Sequence, residues 1–133
     1  MSLQRQGNQE YQEYLRSGAW AWRRQRWFRD CRADGFEPAC QVCQVMLVDA
    51  GSLDLHHVSY EGVQRDETGR WHADESHRDL MPMCRDCHQE LHHRMDSPGD
   101  YRDWDRRRAT VVIVAHLSRA HKRGRAPWLQ QAG

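Results

Sequence analysis

Four cysteines in two Cys-x-x-Cys pairs, Cys40/Cys43 and Cys84/Cys87, constrain this chain more than any other feature, because a shared metal would draw two distant segments to one point. Between the pairs lies the doublet His56-His57, and the second pair runs directly into Cys87-His88-x-x-x-His92. Thiolates favour zinc in a closed tetrahedral site, whereas imidazoles hold a catalytic metal and still leave a position open for water or phosphate. The order therefore predicts one structural zinc site on the cysteines and one catalytic metal site on histidines. Disulfides are the alternative reading, but the two-residue spacing of both pairs and the surrounding histidines favour metal. Cys31 is left over.

A chain of 133 residues with 38% hydrophobic content fits a single domain with a thin core. Bound zinc supplies what apolar burial lacks, since in zinc-finger peptides its apparent binding free energy of about 10–16 kcal/mol becomes folding free energy. No apolar run approaches the ~20 residues of a membrane span, and no stretch has the charged-then-apolar pattern of a secretory leader. The expectation is a soluble, cytoplasmic protein with no membrane partner.

The net charge of +1 hides an uneven distribution. Arginines concentrate in residues 16–32 and 102–125, with acids in the middle, so Arg23, Arg24, Arg106, Arg107 and Arg108 are candidate nucleic-acid contacts. Arginine suits bidentate phosphate recognition. Solvated helix faces are the alternative reading of these clusters.

The segment from Glu10 to about Asp30 reads as an amphipathic helix broken near Ser17-Gly18, and its aromatics either pack in the core or stack on bases, with packing favoured. Asp34 to Pro38 is a turn delivering a zinc knuckle at Cys40–Cys43. Val45 to Val48 reads as extended, and Leu53 to Val58 alternates as a strand. Neighbouring strand residues face opposite ways, so His56 and His57 take different roles, one turned to a metal and the other to a phosphate. Residues 60–78 read as a polar loop without a period. From Cys84 a helix runs through His93 or a little beyond, placing His88 and His92 on one face. Ser97 or Asp100 caps a last helix of about twenty residues, carrying Trp104, Val111 and Leu117. Residues 124–133 read as a frayed tail.

Leu55-His56-His57-Val58-Ser59-Tyr60, followed by Asp79-Leu80-x-x-Met83-Cys84-x-x-Cys87-His88-x-x-x-His92, resembles the HNH endonucleases, the ββα-metal nucleases, in their four-cysteine zinc-containing branch. Tyr14-Leu15-x-Ser17-x-x-Trp20 resembles the lead-in helix of phage and bacterial members, so the resemblance covers roughly residues 11–93. A His-His doublet alone is weak evidence, whereas the full order at these spacings is strong. The resemblance implies an α+β fold: a small zinc-stabilised ββα-metal core over residues 40–95, a helical lead-in over 1–39, and a basic helix and tail over 96–133.

By the same resemblance His57 is the general base, His56, His88 and His92 ligate a catalytic divalent metal, and Cys40, Cys43, Cys84 and Cys87 hold zinc. Asp79 stands where the middle Asn of the family is often found. It either positions the loop and His57 or makes a helix-entry hydrogen bond. A neutral imidazole such as His57 accepts a proton from water, and the metal acts as a Lewis acid on the departing 3′ oxygen, leaving 5′-phosphate and 3′-hydroxyl ends. Three imidazoles suit Zn²⁺, Ni²⁺ or Mn²⁺, and Mg²⁺ gains ground if His92 is not a ligand. The remaining histidines, His72, His77, His93, His116 and His121, read as ordinary surface residues.

The function expected is metal-dependent hydrolysis of DNA phosphodiester bonds, with the arginine-rich ends gripping the backbone largely without regard to sequence. A homodimer or a larger phage or bacterial nucleoprotein assembly is compatible with it. Two alternatives stand beside it: a catalytically silent, zinc-stabilised nucleic-acid-binding module, and a bacteriocin-type nuclease toxin domain. Phage packaging, restriction, homing and repair are all open as settings.

Overall fold

Ser17 separates the first two helices and starts the second. Its Oγ accepts the Trp20 amide at 3.2 Å and donates to the Tyr14 carbonyl at 2.6 Å. It thereby closes α1 (Asn8–Leu15) and N-caps α2 (Gly18–Ala33). The computed structural model describes residues 8–97 and 99–129. They divide into two units, one formed by residues up to Phe36 together with Ser59–Asp79, the other by Glu37–Val58 together with Leu80 onward. The architecture is small α+β, with two two-stranded antiparallel sheets and five helices among the described residues. None of those helices is long and apolar enough to cross a membrane.

In the first unit, α1 and α2 accompany a hairpin of β2 (Val63–Arg65) and β3 (Trp71–Ala73), paired Val63 to Ala73 and Arg65 to Trp71. This hairpin replaces the structureless loop expected over 60–78. Asp66 makes its turn: Oδ1 accepts the amides of Thr68 and Arg70 at 2.9 and 3.0 Å. Gly62 is required by close approach, since a Cβ there would stand 2.6 Å from the Asp74 carbonyl oxygen.

The interior of this unit is largely polar. Tyr14, in tilted ring contact with both Trp20 and Trp71, donates its hydroxyl to Glu75 Oε2 at 2.6 Å. Burial, and then that carboxylate, push the Tyr14 phenol far above its ordinary range. Arg23 is 0% exposed and donates to the Glu75 carbonyl at 2.7 Å and to His77 Nδ1 at 2.6 Å. Because a guanidinium only donates, His77 Nδ1 accepts, so its Nε2 carries the proton given to Asp30 Oδ2 at 2.8 Å. Arg23, read in the sequence as a candidate nucleic-acid contact, is thus buried away from the surface, and His77 is part of this network rather than an ordinary surface residue.

The second unit starts with the Cys40–Cys43 turn, closed by a bridge between Ala39 and Met46. The extended segment expected from Val45 ends at Met46, where α3 (Leu47–Ala50) begins. Strand β1 (Asp54–His57) pairs antiparallel with β4 (Leu80–Met83), His56 opposite Met81 and His57 opposite Leu80. Pro82 is tolerated because β4 lies at an edge of this two-stranded sheet. Helix α4 (Arg85–Asp96) follows at once, capped by Cys84, whose Sγ accepts the Cys87 amide at 3.4 Å. Helix α5 (Arg106–Lys122) is capped by Asp105, not by Ser97 or Asp100, so Trp104 precedes it. It packs on α4 through a buried stripe of Ala109, Thr110, Ile113 and Leu117. Within the expected tail, Pro127–Leu129 form a 3₁₀ turn that brings Trp128 Nε1 to Cys87 Sγ at 3.4 Å; residues 130–133 lie outside the described set.

Candidate metal centres

Cys40 and Cys43 from the knuckle, Cys84 from the end of β4 and Cys87 from the first turn of α4 bring their sulfurs within 4.8 Å of one another. None of the four is in a disulfide. Four sulfurs at about 2.3 Å from a tetrahedral zinc stand roughly 3.8 Å apart, and Cys43 Sγ lies 3.8 Å from Cys84 Sγ. The donor set fits zinc. Hydrogen bonds to sulfur surround it: the Val42 amide reaches Cys40 at 3.4 Å, and the Cys87 amide and Trp128 indole supply the others described above. Hydrogen bonds from Cys84 and Cys87 hold the Cys40 thiol down, while its bond to Cys40 pushes Cys84 up to about 12. A divalent cation replaces those retained protons.

The second cluster joins β1 to α4. His56 points from the strand, His88 and His92 from one face of the helix, and their nitrogens also converge within 4.8 Å. His56 Nδ1 is 3.3 Å from His88 Nε2, which is 3.0 Å from His92 Nε2. Nitrogens at about 2.0–2.1 Å from a tetrahedral metal stand roughly 3.3–3.4 Å apart, so this trio too fits a cation. Burial, and after it the charges of Arg106 and the neighbouring histidines, hold His56 well below the usual imidazole range. Burial first, then His88 and Arg106, lower His92 to about 4. Both rings are therefore neutral at pH 7, each with a lone pair that a cation could use.

His57 is 2% exposed, and its carbonyl accepts a 2.7 Å hydrogen bond from Arg106 Nε. Asp79 is likewise buried, in the 3₁₀ turn His77–Asp79, its amide bonded to the Ser76 carbonyl. Of the arginines read as nucleic-acid contacts, Arg107 and Arg108 are exposed at the start of α5, with Arg108 over the Trp104 ring at 4.4 Å. Arg106 and Arg24 are half-buried, and Arg24 lies over Phe28. The tryptophans of α2 differ in exposure. Trp20 is core, whereas Trp22 is 54% exposed and lines an open groove with Gly18, Arg70 and His72.

Three residues beside the histidines went unread in the sequence. Asp54 Oδ2 accepts from His88 Nδ1 at 3.0 Å, Arg85 Nε steadies the same oxygen at 3.1 Å, and Thr110 Oγ1 lies 3.0 Å from His56 Nε2. A signal for Asp54 existed: it is two residues before His56, hence on the same strand face. Arg85 and Thr110 had none, since only the tertiary fold brings them there. In comparisons with protein-family models, curated proteins and solved structures, nothing matches this chain.

Proposed function

We propose that the protein is a metal-dependent endonuclease of the HNH, or ββα-metal, type, hydrolysing DNA phosphodiester bonds. The observation that carries this reading is the contrast between the two clusters. Four thiolates make a closed structural set, whereas three imidazoles are the number that leaves a position for water or substrate. The order β1, β4, α4, with the histidines on the first and last of these, fits a ββα-metal core.

A divalent metal on His56, His88 and His92 would act as a Lewis acid toward a phosphate oxygen and the departing 3′ oxygen. The protein supplies the rest. His57, next to a ligand on the same strand, accepts the proton of the attacking water, a contribution of about 10²–10⁴ in rate. Arg106 fixes the end of β1 through the His57 carbonyl. Arg107 and Arg108, exposed in the same helical turn as Arg106, meet the phosphodiester backbone.

The 2% exposure of His57 favours a second reading, a zinc-stabilised nucleic-acid-binding module that no longer cuts. Plasmid nicking separates the two. Supercoiled DNA is incubated with chelator-treated, zinc-reconstituted protein and Mg²⁺, Mn²⁺, Ni²⁺ or Zn²⁺, beside His57→Ala. Nicking that requires both added metal and His57 supports the nuclease; salt-sensitive binding without nicking under any metal supports the module.

A further inference from the structure

His56 has two nitrogens, and each faces a different partner. Nδ1 lies among the histidines, 3.3 Å from His88 Nε2, while Nε2 lies 3.0 Å from Thr110 Oγ1. Both residues are buried, His56 at 1% and Thr110 at 0% exposure, so this hydrogen bond is made away from water. A neutral imidazole carries one N–H, and only the bare nitrogen can bind a metal. Thr110 is the polar member of the otherwise apolar stripe of α5, the helix outside the residues that carry the family resemblance. A valine of the same shape would pack there without the hydroxyl.

We propose that Thr110 is a positioning residue for the metal site: its Oγ1 accepts the Nε2 proton of His56, which leaves Nδ1 as the ligating nitrogen. Helix α5 thereby sets ring orientation and tautomer in β1. With Asp54 doing the same for His88 through Nδ1, two of the three ligands are fixed from opposite ring edges: His56 ligates through Nδ1 and His88 through Nε2. The inference rests on His56, His88 and His92 being the ligand trio.

The test uses the full chain with zinc on the cysteines and Co²⁺ as probe, read by calorimetric affinity and visible absorption. Thr110→Val should weaken Co²⁺ binding about 10–100-fold, as removal of an outer partner does elsewhere. Thr110→Ser, which keeps the oxygen, should restore affinity close to wild type. Nitrogen-15 NMR of the wild-type Zn²⁺-loaded protein should show His56 protonated at Nε2, a readout that holds even if the valine variant fails to fold. Unchanged affinity in Thr110→Val, or a His56 proton on Nδ1, overturns the inference alone. A wild-type protein that takes up no Co²⁺ beyond its zinc overturns the trio and the inference with it.

Discussion

His88 Nδ1 stands 3.0 Å from Asp54 Oδ2, and this hydrogen bond decides which nitrogen of His88 faces His56 and His92. A carboxylate only accepts, so Nδ1 carries the proton and Nε2 is bare. Asp54→Ala should therefore lower affinity at the histidine site about 10–100-fold while zinc stays on the cysteines. Calorimetric Co²⁺ titration with parallel zinc analysis checks this, and equal weakening at both sites would contradict it.

Cys84 is both a candidate zinc ligand and the N-cap of α4. Cys84→Ser should release zinc and abolish the cooperative melting transition, because metal binding and folding are coupled. Cys31 lies outside the cluster, so Cys31→Ser should keep full zinc content. Elemental analysis and thermal melting of the two variants read the difference.

Protonation competes with metal at histidine, and the sign here follows from depressed values. His92 lies at about 4 and takes up no proton between pH 7 and 5.5, and burial disfavours protonation of His56. Co²⁺ affinity over that window should fall by at most about tenfold, whereas three imidazoles near the ordinary value of about 6.5 would lose several hundredfold. Titrations at the two pH values distinguish them.

Buried Arg23 and exposed Arg107 and Arg108 should respond oppositely. Arg23→Ala leaves the buried Glu75 carbonyl and His77 Nδ1 without their donor and should cost about 1–3 kcal/mol in denaturant unfolding, with the salt dependence of DNA binding intact.

Arg107→Gln with Arg108→Gln should leave stability within about 0.5 kcal/mol. The double change should flatten the plot of log affinity against log salt by about 0.9 for each phosphate that is no longer neutralised. An unchanged slope would assign this pair to a solvated helix face.

The two clusters were legible because their candidate ligands follow local rules. Cys-x-x-Cys brings two sulfurs together within one turn, and His88 and His92 share a helix face by spacing alone. The strand at His56, the break at Ser17 and helix α4 were legible for the same reason. The hairpin was not, because Val63–Arg65 and Trp71–Ala73 are three-residue strands, too short for a period. Nor was the burial of Arg23, which depends on Glu75, 52 residues away. Thr110 was hidden likewise, since its partner is 54 residues distant. Charge counting places arginines near phosphate. It does not distinguish one that serves a buried carbonyl.

The most direct test of a two-site nuclease is plasmid nicking followed as Co²⁺ or Ni²⁺ is added to protein carrying one equivalent of zinc. Nicking should be absent at the start, rise to a plateau with the second metal equivalent, and disappear in His57→Ala and in His92→Ala, the latter with reduced metal uptake. Nicking that is complete before the second equivalent, or that survives His57→Ala, would contradict the assignment of these histidines.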